Sequence, residues 1–405
     1  MGTTYDHPMT SDDSAPPVDL GAANAAAPRT VFDPVRTPAR ILSDLAAAAR
    51  GLGLDTGTPA DWDVYDEGGA VTLLEERVRD LLGTQAAAFF PSGIMAQQAA
   101  LRVHTDRAGT PRVAMPDLAH LLVHEEDGPR LLQGLHIEPL TRGPRTATRA
   151  DLEAIPGRLG AVLVEVPLRE PGCLLPTWDD LVDLANACRE RGVALHIDGA
   201  RIWESQFHFG HCLPEIAALS DTIYVSFYKG LGALAGAVLA GSSDVIAEAR
   251  AWRRRMGGTV FHHTAEALSA LVGLETRLPG IPARVRWARE FARLVTPPTD
   301  EGGSAPGIGG VTGDLSLTPA LPQTNQFLVH ARGVPADLDR ATLALTVESG
   351  LAFCRPWRQA DVPGWSWTEL TVGTGVLTEP GGATFAVDPE EAAALLRRVA
   401  PGMGV

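Results

Sequence analysis

Apolar positions return along this chain with two periods, and the alternation between them predicts its architecture. Over residues 73–82 apolar side chains recur every three or four positions with charges between them, which predicts a helix. Residues 86–90 form an unbroken apolar run, read as a buried strand, and the turn Pro91-Ser-Gly93 leads into a second helical pattern over 95–103. The order recurs as a strand at 161–164, a helix at 178–191, and strands at 193–197, 222–225 and 234–239. Strands separated by helices predict an α/β fold whose mainly parallel sheet is covered on both faces. Groups that do chemistry in such sheets gather at the carboxyl ends of strands. Asp198 and Lys229 each stand just past such an end, so one cleft is expected to hold both.

Helical pattern continues over 266–294, and a Pro/Gly-rich stretch follows with the composition of a linker or long loop. The segments 325–332, 343–348 and 367–372, with a terminal helix over 389–399, suit a smaller α+β unit. The expected division is a disordered tail over 1–29, rich in Ala, Pro and Asp, a large domain over 30–294, a linker over 295–313 and a small domain over 314–405.

Composition narrows the function classes. Hydrophobic content of 45% over 405 residues is enough for a large core. A formal charge of −15 disfavours nucleic acid and anionic membranes as partners, because both attract clustered positive charge. Neither a secretory signal nor a membrane-length apolar stretch is read in the chain, so a cytoplasmic protein is expected. Cys173, Cys188, Cys212 and Cys354 are too widely spaced to signal a zinc site or a disulfide framework. The pair His120 and His124 lacks the H-E-x-x-H order, and the cluster His208, His211 and Cys212 lacks a fourth ligand, so no metal is expected.

The chain has 34 Lys and Arg residues, and Lys229 is its one lysine. Arginine replaces lysine in most ion pairs but cannot lose its proton or condense with an aldehyde, so a solitary lysine points to amine chemistry. An aldehyde cofactor such as pyridoxal 5′-phosphate needs that amine, a carboxylate beside its ring nitrogen and a phosphate cradle. Lys229 and Asp198 supply the first two. Ser92, Gly93 and Ile94 open a helix after a strand, where backbone N–H groups and a hydroxyl can bind phosphate.

Four stretches carry a family resemblance: Asp63-Val-Tyr-Asp66 with Leu74-Glu-Glu-Arg77, Phe90-Pro-Ser-Gly-Ile-Met-Ala96, His196-Ile-Asp-Gly-Ala-Arg201, and Ser226-Phe-Tyr-Lys-Gly-Leu-Gly232. In that order and spacing the chain resembles the threonine aldolase and β-eliminating lyase family of fold-type I pyridoxal phosphate enzymes, over roughly 33–399. The resemblance implies a seven-stranded sheet, a homodimer or homotetramer, and cofactor contacts from Ser92, Gly93, Ile94 and Ser226. It also implies an imine at Lys229, Asp198 on the ring nitrogen, Arg201 near the ring hydroxyl or substrate, and the ring between Ala200 and His120. His120 is expected to help move protons and His124 to be structural, and at His262-His263 the resemblance allows a cofactor contact from a neighbouring subunit.

Three positions depart from the family pattern. Phe32-Asp33 stands where a Ser-Asp pair is expected, a histidine is missing after the strand ending at Val164, and Glu369 occupies the place of an arginine that clamps the substrate carboxylate. A carboxylate facing Glu369 is expected to meet repulsion. Asp33, Arg169, Arg355, Arg358 and Glu369 are therefore the candidate substrate residues, with the arginines able to rebuild a carboxylate site. The expected function is a lyase that cleaves a small-molecule β-hydroxy or β-substituted α-amino acid through an imine with the cofactor. Elimination, racemisation or transamination on the same cofactor, or a non-catalytic binding protein, are the alternatives.

Overall fold

The computed structural model of the chain describes residues 19–296 and 314–400. Seven strands form the main sheet: β1 (Ala86–Phe90), β2 (Arg112–Met115), β3 (His136–Pro139), β4 (Ala161–Glu165), β5 (Ala194–Gly199), β6 (Thr222–Ser226) and β7 (Ala237–Gly241). Their order is β1-β7-β6-β5-β4-β2-β3, parallel except for β7, which runs antiparallel to both neighbours. Every residue of β4, β6 and β7 is buried, as expected of strands with helices on both faces.

Local sequence sets the helix ends. Thr177 caps helix Trp178–Arg191 by accepting from the Asp180 N–H, acidic residues fill its first turn, and Gly192 closes it at φ 64°. Ser92 caps helix Gly93–Ala108 in the same way, accepting from the Met95 N–H at 3.2 Å. This cap fixes the helix start directly above the carboxyl end of the sheet.

A second, antiparallel sheet comprises β8 (Leu315–Thr318), β9 (Gln326–Arg332), β10 (Arg358–Gln359) and β11 (Trp365–Thr371) in the order β10-β11-β9-β8. Its core recruits helix Ile281–Val295, whose Trp287 and Phe291 stack at 5.3 Å between ring centroids, with Phe291 against Phe327 at 6.0 Å.

Two expectations need correction, and a third gains detail. The tail was expected to be disordered to residue 29, yet Leu20–Ala26 is a helix capped by Asp19, and Arg29–Thr30 pairs with Leu351–Ala352 as a short parallel ladder. Burial of Leu20 and a 2.9 Å bond from Asn24 Nδ2 to the Cys354 carbonyl hold this segment, a long-range contact that composition does not encode. Residues 1–18 and most of the expected linker, 297–313, lie outside the described residues. The strand expected over 234–239 begins only at Ala237, because Gly236 at φ 94° approaches the Phe89 ring and Leu234 is exposed. The helical pattern read over 266–294 divides into two helices, Thr264–Thr276 and Ile281–Val295, separated by a short turn at Leu278–Gly280.

Candidate active site

The carboxyl ends of β4, β5 and β6 converge with the start of helix Gly93–Ala108. Asp198 lies in register with Glu165 on β4 and Tyr224 on β6, so these side chains stand side by side. Asp198 is 4% exposed. Burial raises its pKa against the opposing Lys229 charge, the Ala200 N–H that donates to Oδ1 at 2.9 Å, and the Gln97 amide. Burial likewise lowers the Lys229 pKa, and Asp198 is the largest charge resisting that fall. Each is therefore the other's main electrostatic partner. The amine is thereby kept closer to its nucleophilic, unprotonated form, within the field of a carboxylate that can receive a cation.

The other side of the site is built on His120. Its Nδ1 lies 2.9 Å from Glu125 Oε1, the length of an ion pair, yet burial beside Lys229, His124 and Arg169 pushes the imidazole down to about 4. At neutral pH the ring is accordingly uncharged, and because a carboxylate oxygen only accepts, Nδ1 carries the proton and Nε2 is left as an acceptor. Glu165 accepts from the His120 N–H through Oε1 and from the Arg169 N–H through Oε2 at 3.2 Å. Burial, and then Asp198, raise its pKa, while the two N–H bonds favour the anion.

The start of helix Gly93–Ala108 sits tightly on the sheet. A Cβ on Gly93 would sit 2.1 Å from Tyr224 Oη, so only glycine lets the helix start rest on that hydroxyl. Ser226 is fully buried and its Oγ makes no hydrogen bond. Arg201 Nη1 and Gln97 Oε1 are also buried without partners. Unpaired buried polar atoms are costly and mark a place where a ligand or water completes the set. A helix amino terminus with a free buried hydroxyl, a half-buried amine and a buried carboxylate fit an aldehyde cofactor with a basic ring nitrogen and a phosphate tail.

The substrate candidates separate. Arg169 donates to Glu369 on β11 at 2.8 Å and also bonds Glu170, which His124 holds at 2.6 Å. The repulsion expected at Glu369 is thus replaced by an ion pair, because β11 brings that acid to the loop after β4. Arg355 instead lies 4.7 Å over the Phe32 ring, and Arg358 lies 5.2 Å over Trp367. Asp33 pairs with Arg277 at 3.1 Å and accepts from the Thr374 N–H and hydroxyl, which hold its pKa down despite burial. His262 and His263 bond Asp63 within the chain. Among the described residues no three His, Cys, Asp or Glu side chains gather as metal ligands.

Sequence reasoning missed Glu165, Gln97, Glu125, Tyr224 and Glu204 as site residues. Glu165 had a usable signal, since it ends an apolar run as Asp198 does. Glu204 had none: it is fully buried with both oxygens unbonded, and a Cβ on Gly230, next to Lys229, would meet its Oε1 at 1.8 Å.

The chain is similar to known proteins. A low-specificity L-threonine aldolase from Arabidopsis thaliana is 30% identical over 240 residues, covering 54% of this chain and 64% of that protein. An Escherichia coli O157:H7 low specificity L-threonine aldolase is 29% identical over 232 residues, covering 56% and 66%. The chain thus spans just under two thirds of the length of these curated relatives. A solved Listeria monocytogenes structure, described as a candidate L-allo-threonine aldolase, superimposes with TM-score 0.80 at 30% identity, covering 94% of this chain and 97% of that one. Residues 54–300 match the sequence profile described as β-eliminating lyase, and with the lysine, the buried acid and the helix cradle in place, the chain belongs to the β-eliminating lyase family.

Proposed function

We propose that this protein is a pyridoxal phosphate-dependent amino acid lyase of the threonine aldolase kind, acting on β-hydroxy or β-substituted α-amino acids. The observation that carries this reading is the half-buried Lys229 with the buried Asp198, each the main charge acting on the other at the carboxyl end of one sheet. When bound, the cofactor supplies an electron sink for the bond that breaks.

Lys229 would hold the cofactor aldehyde, and Asp198 would pair with the ring nitrogen and keep it protonated. Ser92, Gly93, Ile94 and Ser226 would hold the phosphate, with Ala200 and His120 against the two ring faces and Arg201 near the ring hydroxyl or substrate. His120 Nε2, neutral and without a proton, is suited to accept one from a substrate hydroxyl, and the Lys229 amine to shuttle a second. Of the candidates Arg169, Arg355 and Arg358, Arg169 would receive the substrate carboxylate: its N–H is held by Glu165 beside Asp198, whereas Arg355 and Arg358 lie over the Phe32 and Trp367 rings. A homodimer or homotetramer is part of the same proposal, read by sedimentation.

The test is borohydride reduction of the cofactor-loaded protein followed by peptide mapping, together with a panel of β-hydroxy amino acids assayed for released aldehyde. A reduced adduct at Lys229 and aldehyde release support the lyase. An adduct without turnover of any amino acid supports a binding protein, and the absence of an adduct overturns the reading.

A further inference from the structure

Arg169 leaves the carboxyl end of β4, and Glu369 lies 200 positions later on β11 of the smaller sheet, yet their side chains meet at 2.8 Å. The guanidinium is held by two acids of different anchorage. Glu170 is also fixed by His124, whereas the bond to Arg169 is the only hydrogen bond of the Glu369 side chain among the described residues. The partners are part-exposed, 35% for Arg169 and 25% for Glu369. Ion pairs of that exposure are weak and exchangeable. Arg169 is anchored at the site by its N–H, which donates to Glu165 Oε2 at 3.2 Å, and Glu165 lies in register beside Asp198; the charge of Arg169 is felt by both Lys229 and His120. The pair therefore borders the reactive amine, and Glu369 occupies the guanidinium edge that another carboxylate would use.

We propose that Glu369 is an internal stand-in for the substrate carboxylate, holding Arg169 in its receiving orientation and leaving when an amino acid binds. This rests on the amino acid lyase reading above and adds the residue that sets carboxylate affinity. Glu369 orients Arg169 and also competes with the substrate for it. Binding then breaks the tie between the β4 loop and β11, so an amine without a carboxylate leaves that tie intact.

The experiment titrates cofactor-loaded native protein and Glu369→Gln with glycine and with ethanolamine, following the visible absorption of the bound cofactor. With the competing charge removed, glycine should bind roughly three- to tenfold more tightly, the effect of losing a weak ion pair, while ethanolamine affinity stays the same. Glycine binding that is unchanged or weaker in Glu369→Gln overturns the proposal, as does an equal gain for ethanolamine, which carries no carboxylate to compete. Melting temperatures are read alongside, and Glu369→Met repeats the comparison if the glutamine variant is not folded. If native protein responds to neither amine, the amino acid lyase reading fails and takes this inference with it. A native response that the variants leave unaltered removes only the inference.

Discussion

Lys229 illustrates how burial turns an ordinary side chain into a reagent. Water would hold its amine protonated, but desolvation lowers its pKa while Asp198 limits the fall. Lys229→Arg keeps a cation and cannot condense with an aldehyde, so it should abolish the borohydride-stable adduct while leaving the fold, read by circular dichroism, intact. Glu165 works by geometry. Its two oxygens tie the backbones of His120 and Arg169, and Glu165→Gln offers one oxygen and one N–H donor to those two N–H groups. One amide then loses its acceptor, at about 1–3 kcal/mol, and should exchange with deuterium measurably faster than in the native chain. Unchanged protection at both amides would show that the ties are not made. The chemical identities of Lys229, Asp198 and His120 were legible from residue type and motif. The role of Glu165 was not, because a carboxylate that bonds two distant backbones is defined only once β4 lies beside β5.

At the scale of elements, the contact between helix Gly93–Ala108 and β6 is a tight constraint on the site. Gly93→Ala would drive a methyl group into the Tyr224 hydroxyl, so it should destabilise by roughly 1–3 kcal/mol and weaken cofactor binding together. Pairing it with Tyr224→Ala should restore part of the stability, measured by chemical denaturation. The helix Leu20–Ala26 is held differently, by one buried leucine and the Asn24 bond to Cys354. Asn24→Ala should cost about 1 kcal/mol and raise proteolytic cleavage near the chain start without touching the lysine site. Helices Trp178–Arg191 and Pro389–Val399 match the sequence reading residue for residue, since capping and period agree there. Strands β2 and β3 were not read from the sequence. They are four residues each at the far edge of the sheet, and β3 carries no fully buried position, so its pattern is too short and too polar to announce itself.

For the whole molecule, buried histidines set the response to acid. His104, on helix Gly93–Ala108, and His196, on β5, both bond the Thr222 hydroxyl of β6 at 2.9 Å, and burial holds them at about 4 and about 3. Their folded-state pKa values lie below the ordinary 6.5, so the unfolded chain binds more protons in that window. The stability they contribute is present above pH 6.5 and is lost as pH falls towards 4, by roughly several kcal/mol between them. Glu165, raised by burial, has the opposite slope above its ordinary carboxylate range. The melting temperature should therefore drop steeply below pH 6, and His104→Gln should flatten that drop; an unaltered acid slope in the variant would count against the assignment.

The alternation of strands and helices, the solitary amine and the acid near the end of a buried strand are legible in the residues alone, because period, capping and residue chemistry are local properties. That Glu369 meets Arg169, that Glu165 serves two loops and that the segment from Leu20 docks beside Cys354 emerge only once the chain is folded. Those contacts join positions 200, 45 and 330 residues apart, and their energies depend on burial and register that no local pattern carries.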